Sequence, residues 1–190
     1  AYAAEALVRA GVGKLTMIDM DEVSSSNINR QLLALESTVG HPKVDVMKDR
    51  IMKINAQCQV RGEKVFLNAD NVKEWIVEDK YDYVMDCIDS LNSKVALLEA
   101  AVRYNMRVIS SMGAGGKLEP GRVSVVDINE THTCPLARFV RSRLRRRGVD
   151  GGIKAVFSSE APLAAAPPEE MSQGRPRAVN GTISYMPAIF

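Results

Sequence analysis

Two short apolar runs that end in aspartate constrain this chain more than any other feature. Lys14-Leu15-Thr16-Met17-Ile18-Asp19 and Tyr81-Asp82-Tyr83-Val84-Met85-Asp86-Cys87-Ile88-Asp89 read as buried strands with acid at their C-terminal ends. Helical spacing alternates with them. Over 43–54, Val44, Met47, Ile51 and Ile54 recur at three and four, and 93–104 is rich in Ala and Leu. Further strand candidates lie at 60–67 and 107–111. Strands separated by helices of about 12 residues build βαβ units around a mostly parallel sheet. The expected fold class is therefore α/β and doubly wound.

The connections carry their own signals. Ala1 to Ala10 reads as the last turns of a helix with Ala3, Leu7 and Ala10 on one face, and Gly11 and Gly13 supply the stop. Ser24-Ser25-Ser26-Asn27 is turn-forming and suited to capping, and Asp70 is placed to cap a short helix carrying Val72, Trp75 and Ile76. Gly113-Ala114-Gly115-Gly116 is a loop, either a close approach for substrate or a simple turn, and 122–128 alternates like an edge or hairpin strand. Pro135 to Arg147 reads as a helix with Leu136, Phe139, Val140 and Leu144 along one face. The expected organisation is one domain over 1–160, a flexible linker or insertion over 161–178, and the start of a C-terminal segment of the same domain over 179–190.

Composition closes off several classes. The 190 residues are 46% hydrophobic with a formal net charge of +2, enough for one sizeable core and too balanced to name a partner. No run of about 18 apolar residues occurs, so no membrane segment is expected. Cys58, Cys87 and Cys134 form no C-x-x-C pair and no disulfide framework, which points to ordinary thiols in a reducing, cytoplasmic setting.

In an open parallel sheet, ligands sit beyond the C-terminal ends of the strands. Asp19 stands where such folds place the acid that holds a ribose. Asp89 stands where a carboxylate can hold a metal ion over phosphates. On a helical stretch Asn27, Arg30 and Gln31 would fall at i, i+3 and i+4 and share a face. Together with Lys43 they form a set of cations, amides and carboxylates suited to a Mg²⁺-triphosphate. A dinucleotide-dependent oxidoreductase would also use Asp19, but it leaves Arg30, Lys43 and Asp89 without a shared task.

At these positions the chain resembles a family. Asp19-Met20-Asp21-Glu22-Val23-Ser24-Ser25-Ser26-Asn27-Ile28-Asn29-Arg30-Gln31, His41-Pro42-Lys43 and Asp86-Cys87-Ile88-Asp89-Ser90 look like three ordered blocks of the adenylating enzymes that include ThiF, MoeB and ubiquitin activators. The resemblance implies a Rossmann-like fold and ATP and Mg²⁺ as cofactors. It also implies ATP-binding roles for Asp19, Asn27, Arg30, Gln31 and Lys43, catalytic roles for Asp89, Arg30 and Lys43, and Mg²⁺ binding by Asp89. The family's first strand and G-x-G-G-x-G loop are not among these residues, so the ATP site is expected to be incomplete and the chain truncated at both ends.

The second half resembles one branch. Ser111-Met112-Gly113-Ala114-Gly115-Gly116-Lys117-Leu118-Glu119-Pro120, Cys134-Pro135-Leu136-Ala137-Arg138, Val156-Phe157-Ser158-Ser159-Glu160 and Gly181-Thr182-Ile183-Ser184-Tyr185 look like enzymes that dehydrate threonylcarbamoyladenosine in tRNA to its cyclic form. The implied partners are tRNA, a second copy in a homodimer, and a sulfur-transfer or desulfurase protein. Arg138, Arg141, Arg145, Arg146 and Arg147 are the candidate tRNA contacts, although a cationic last turn also satisfies the helix dipole. Two alternatives remain at this point. One is an activator of a ubiquitin-like or sulfur-carrier protein, with Cys134 as thioester nucleophile; the other is a non-catalytic adenylation-like subunit.

Overall fold

A computed structural model describes residues 1–78, 80–163 and 184–190. The chain divides into two compact units, Ala1–Leu67 and Asn68–Phe190.

The first unit is a helix followed by one βαβ unit: α1 (Tyr2–Arg9), β1 (Lys14–Ile18), α2 (Lys43–Ile54) and β2 (Gln59–Glu63). β1 and β2 pair in parallel from Lys14 opposite Gln59 to Ile18 opposite Glu63. Gly11 turns the chain out of α1 at φ +89°, a conformation that costs glycine little. α1 buries Val8 with Ala4 beside it, one position away from the Ala3–Leu7–Ala10 face that the spacing suggested. The reason lies in α2, whose Met47 and Ile51 join Val8, Val23, Leu33, Ala34 and Cys58 in one cluster. Burying an aliphatic side chain of this kind contributes roughly 1.5–3 kcal/mol. α2 spans the expected 43–54 without adjustment.

The second unit contains α3 (Val72–Glu78), β3 (Val84–Asp86), α4 (Leu91–Arg103), β4 (Val108–Ser111), β5 (Val123–Asp127), α5 (Pro135–Arg146), β6 (Lys154–Ser158) and α6 (Met186–Ile189). Its sheet has the order β3-β4-β6-β5. The first three strands run parallel, and β5 closes the edge antiparallel to β6. β5 was legible as an edge or hairpin strand. The central strand β6 was not recognised as one, although Lys154-Ala155-Val156-Phe157-Ser158 is nearly all buried and β-prone. α4 packs on β3 and β4 and against α3 and α5.

Several boundaries moved. The strand expected over 81–89 is ordered as a strand only at Val84–Asp86, and that over 60–67 only at Gln59–Glu63. The turn before α3 is built by Asn68 and Asn71 rather than by Asp70. The Asn68 side-chain oxygen accepts the Asp70 and Asn71 N–H groups at 2.8 and 3.2 Å, and Asn71 returns a bond to the Asn68 N–H at 2.9 Å. On α5 the buried face is Ala137, Val140 and Leu144, while Phe139 is 49% exposed. Most of the expected linker, and Gly181 to Ile183, lie outside the described residues.

Candidate functional site

In the first unit the acid-ended strand and the start of α2 are tied together. Residues 21–23 and 40–43 exchange backbone bonds: the Val23 N–H donates to His41, the Gly40 N–H to Val23, and the Lys43 N–H to Asp21. Pairing between Glu22 and Pro42 completes the junction. This brings Asp19, Asp21 and Lys43 into one cluster beyond the C-terminal end of β1. The Asp21 N–H donates to Asp19 Oδ1 at 2.9 Å, which orients the half-buried Asp19 carboxylate; its second oxygen has no hydrogen-bond partner among the described residues. The Lys43 ammonium is buried at its stem and reaches Asp21 Oδ2 at 2.7 Å. Asp21 is 56% exposed, so the lysine's charge is balanced by a carboxylate that remains in water.

The segment carrying Asn27, Arg30 and Gln31 is not the helix that the i, i+3, i+4 spacing suggested. It is a single 3₁₀ turn, Ser25–Asn27, followed by irregular turns in which the Arg30 and Gln31 N–H groups both donate to the Asn27 carbonyl. Ser24 caps it. Its side chain accepts from the Ser26 N–H at 3.4 Å, while Asn27 Oδ1 accepts from the Ser24 N–H at 3.2 Å. A run of serines competes with the helix by bonding its own backbone, and here that competition wins. Asn27 is consequently buried and engaged in its own turn. Arg30 donates to the Ser26 carbonyl at 2.8 Å and to Asn29 Oδ1 at 3.0 Å, using one of its two terminal nitrogens. The Gln31 side-chain amide has no hydrogen-bond partner among the described residues.

Asp89 belongs to the second unit. It lies three residues beyond β3, is exposed, and is followed by the Ser90 cap of α4. Its loop is held from below by Asp86, whose Oδ1 accepts the Ile88 N–H at 3.0 Å. The other Asp86 oxygen receives Lys94 at 2.7 Å and the Ser110 hydroxyl. Lys94 also donates to Ser110 Oγ at 3.3 Å and the Ser111 carbonyl at 3.0 Å. This network sits at the C-terminal ends of β3 and β4, and Lys94 and Asp86 are both fully buried.

Sequence reasoning missed Lys94. A signal existed: Lys94, Leu98 and Ala101 lie at i, i+4 and i+7, so an apolar stripe on α4 contains one lysine that must find a buried anion. Lys117, also missed, is buried and donates to the Ser158 carbonyl at 3.0 Å with its ammonium over the Phe190 ring. Burial pushes its pKa down, against the opposing pull of Cys134 and Glu160. The glycine loop before it is a chain turn: Gly116 has φ +69°, and a Cβ there would come within 3.1 Å of the Leu163 backbone.

The donor set fits a nucleotide. Among the described residues, one Asp19 carboxylate oxygen and some Arg30 and Gln31 side-chain donors have no hydrogen-bond partner. Lys43 can exchange an exposed carboxylate for phosphate. For Mg²⁺, no three His, Cys, Asp or Glu side chains group to hold a metal among the described residues. Mg²⁺ normally takes one or two carboxylates plus phosphate oxygens and water, so a single exposed Asp89 fits that habit. Asp86 does not, because Lys94, Ser110 and Ile88 occupy its oxygens.

Of the arginines on α5 and at its C-cap (Arg147), several are committed to the protein. Arg141 bonds Thr131, Arg143 bonds Asn92, Arg145 reaches Asn129 at 3.1 Å and Asp150 at 3.4 Å, and Arg147 pairs with Glu99 at 2.6 Å. Arg138 lies over the Phe139 ring at 5.1 Å. Arg146 has no hydrogen-bond or ion-pair partner among the described residues.

The first unit is a parallel βαβ with Asp19 and Lys43 beyond its strand end, and the second a mostly parallel four-stranded sheet with Asp89 beyond β3; both are of the Rossmann-like α/β class. The ThiF family model matches residues 1–189, and the chain belongs to that family. It is similar to the tRNA threonylcarbamoyladenosine dehydratase of Bacillus subtilis (strain 168), 43% identical over 162 residues, 85% of this chain and 63% of the relative. The enzyme of the same name from Escherichia coli (strain K12) is 40% identical over 167 residues, 84% of this chain and 62% of the relative. The chain thus spans a little under two thirds of the length of these relatives. Among solved structures, E. coli tRNA N6-threonylcarbamoyladenosine dehydratase in complex with AMP superposes with a TM-score of 0.88 at 38% identity, over 100% of this chain and 75% of that one. The same enzyme in complex with ATP gives 0.86 at 35% identity, over 99% of this chain and 74% of that one.

Proposed function

We propose that the protein adenylates a carboxylate with ATP, and that the carboxylate is that of threonylcarbamoyladenosine in tRNA, which the reaction dehydrates to its cyclic form. The observation that carries the reading is the TM-score of 0.88 to an AMP-bound dehydratase, joined to the Asp19–Asp21–Lys43 cluster at the end of β1. ATP would supply the adenylate that converts a carboxylate oxygen, a poor leaving group, into one that departs as AMP.

The chain's own residues then have distinct tasks. Asp19 accepts hydroxyls of the ribose through its free oxygen. Lys43 leaves Asp21 for phosphate, Arg30 adds a second cation, and Gln31 and Asn27 donate amide N–H groups. Asp89 holds Mg²⁺. Arg30, Lys43 and Asp89 are the catalytic set, acting by charge and position with no protein nucleophile. Burial of Cys134 fits that chemistry better than a thioester on this thiol. In the same reading the protein is a ligase-like enzyme of tRNA modification and a homodimer. Its compartment is the cytoplasm, and a sulfur-transfer or desulfurase partner is an accessory to the reaction. No helix among the described residues is long and apolar enough to cross a membrane.

The test uses the full-length protein with Mg-ATP and tRNA bearing threonylcarbamoyladenosine. The expected result is tRNA-dependent release of AMP, with loss of one water from the modified nucleoside by mass. Absence of both products overturns the reading.

A further inference from the structure

The arginines of α5 and its C-cap divide into those bonded to neighbouring side chains and those that are not. Ala137, Val140 and Leu144 are buried, and Arg141, Arg143, Arg145 and Arg147 reach across to neighbouring side chains. Of the exposed residues, Arg138, Phe139, Ser142 and Arg146 make no side-chain hydrogen bond or ion pair among the described residues. Arg138, Ser142 and Arg146 follow at i, i+4 and i+8, an exposed row inclined to the helix axis, and Phe139 stands beside its first member with one ring face under the Arg138 guanidinium. Over eight residues the row extends about 12 Å along the helix axis, which spaces its two arginines for separate phosphates.

We propose that this row binds unpaired RNA, with Phe139 as a stacking platform for one base and Arg138 and Arg146 as contacts to separate phosphates. The inference rests on the reading above, in which the substrate is tRNA, and names the surface that would grip it. An exposed aromatic in a cationic field selects single strands, because a base inside a duplex already has both faces stacked. An anionic membrane is disfavoured by the same geometry. A membrane-surface helix needs a continuous apolar face, and that face of α5 is spent on the protein interior. The row also begins near a strand end. Leu136 and Cys134 lie against Gly113, just past the C-terminal end of β4, where an open α/β sheet receives its ligands.

The experiment measures binding of the full-length protein by fluorescence anisotropy. The probes are a labelled single-stranded RNA of about 12 nucleotides, its duplex, and vesicles of phosphatidylserine in phosphatidylcholine. Phe139→Ala is expected to weaken single-strand binding about 10-fold, and Phe139→Trp to retain it. Arg138→Gln with Arg146→Gln should lower the slope of log K against log salt by about 1.4, two phosphates' worth, whereas Arg147→Gln leaves it unchanged. Three results overturn the proposal: wild-type affinity in Phe139→Ala, equal losses for single strand and duplex, or binding to vesicles without binding to RNA. AMP release is read in parallel. A wild-type protein that makes no AMP yet loses RNA affinity on Phe139→Ala removes the proposed activity and leaves the surface; turnover with undiminished RNA binding in Phe139→Ala does the reverse.

Discussion

Lys94 and Lys43 each end on an aspartate at 2.7 Å, yet the two pairs belong to different kinds of site. Lys94 and Asp86 have no exposed side-chain surface, and Ser110, Ser111 and Ile88 complete their bonding. Lys43 is covered along its stem, but its partner Asp21 is mostly in water. Neither charge in the first pair can exchange partners without leaving an ion in a dry interior. In the second, an incoming phosphate can replace Asp21 at little cost, since the displaced carboxylate is already hydrated. Equal distances thus describe a locked frame in one unit and an exchangeable pair in the other, the pair that the proposed function uses as a phosphate docking point.

The largest effect that follows is on the frame. Lys94→Met leaves Asp86 uncompensated and should cost about 3–5 kcal/mol of stability, read by urea denaturation. The double variant Asp86→Leu/Lys94→Met should regain most of it, because an apolar replacement removes both ions together. A single-variant loss below about 1 kcal/mol, the range of exposed ion pairs, would erase the contrast.

Ile51→Ala, in the first unit's core, should cost about 2–5 kcal/mol and leave an overlapping but smaller loss than the broken pair if its neighbours collapse into the space. Lys43→Met should cost about 1 kcal/mol or less, since Asp21 stays solvated. It should also abolish the rise in melting temperature that ATP gives the unsubstituted protein. A large destabilisation, or an undiminished ATP shift, would move Lys43 from the docking class to the frame.

Asp89→Ala should fall within about 0.5 kcal/mol of the parent stability, as expected for an exposed side chain, while tRNA-dependent AMP production is lost. The smallest effect belongs to Glu160. The Glu119 N–H holds its pKa below the usual 4.5 against a desolvation that raises it, with help from the Leu118 N–H and the charges of Arg122 and Lys117. Because the folded value lies below the unfolded one, the stabilising contribution is complete above pH 4.5 and is lost as pH falls through the folded pKa. Glu160→Gln should flatten the acid limb of a stability–pH curve and leave neutral pH nearly unchanged.

The legible parts are those governed by local periodicity. α2 appears at 43–54 because Val44, Met47 and Ile51 repeat at helical spacing, and Asp19 falls just past β1 because the apolar run ends there. The 27–31 stretch misled for an opposite reason. Its spacing was helical, but Ser24 and Asn27 satisfy the backbone locally and stop the helix after one 3₁₀ turn. Phe139 misled because hydrophobicity was read as burial, whereas the neighbouring Ala137 is the residue that fits against the interior.

Order along the chain, acid at the strand ends and the motif blocks of an adenylating family follow from residue type and spacing, which act over a few positions at a time. Partner choice does not. Whether a lysine meets Asp86 or Asp21, whether an arginine grips Glu99 or faces water, and which strand lies between β4 and β5 depend on residues tens of positions apart. Those contacts form only when the sheet brings distant segments together, because burial and the cost of an unpaired charge are properties of the packed interior and not of any short stretch of sequence.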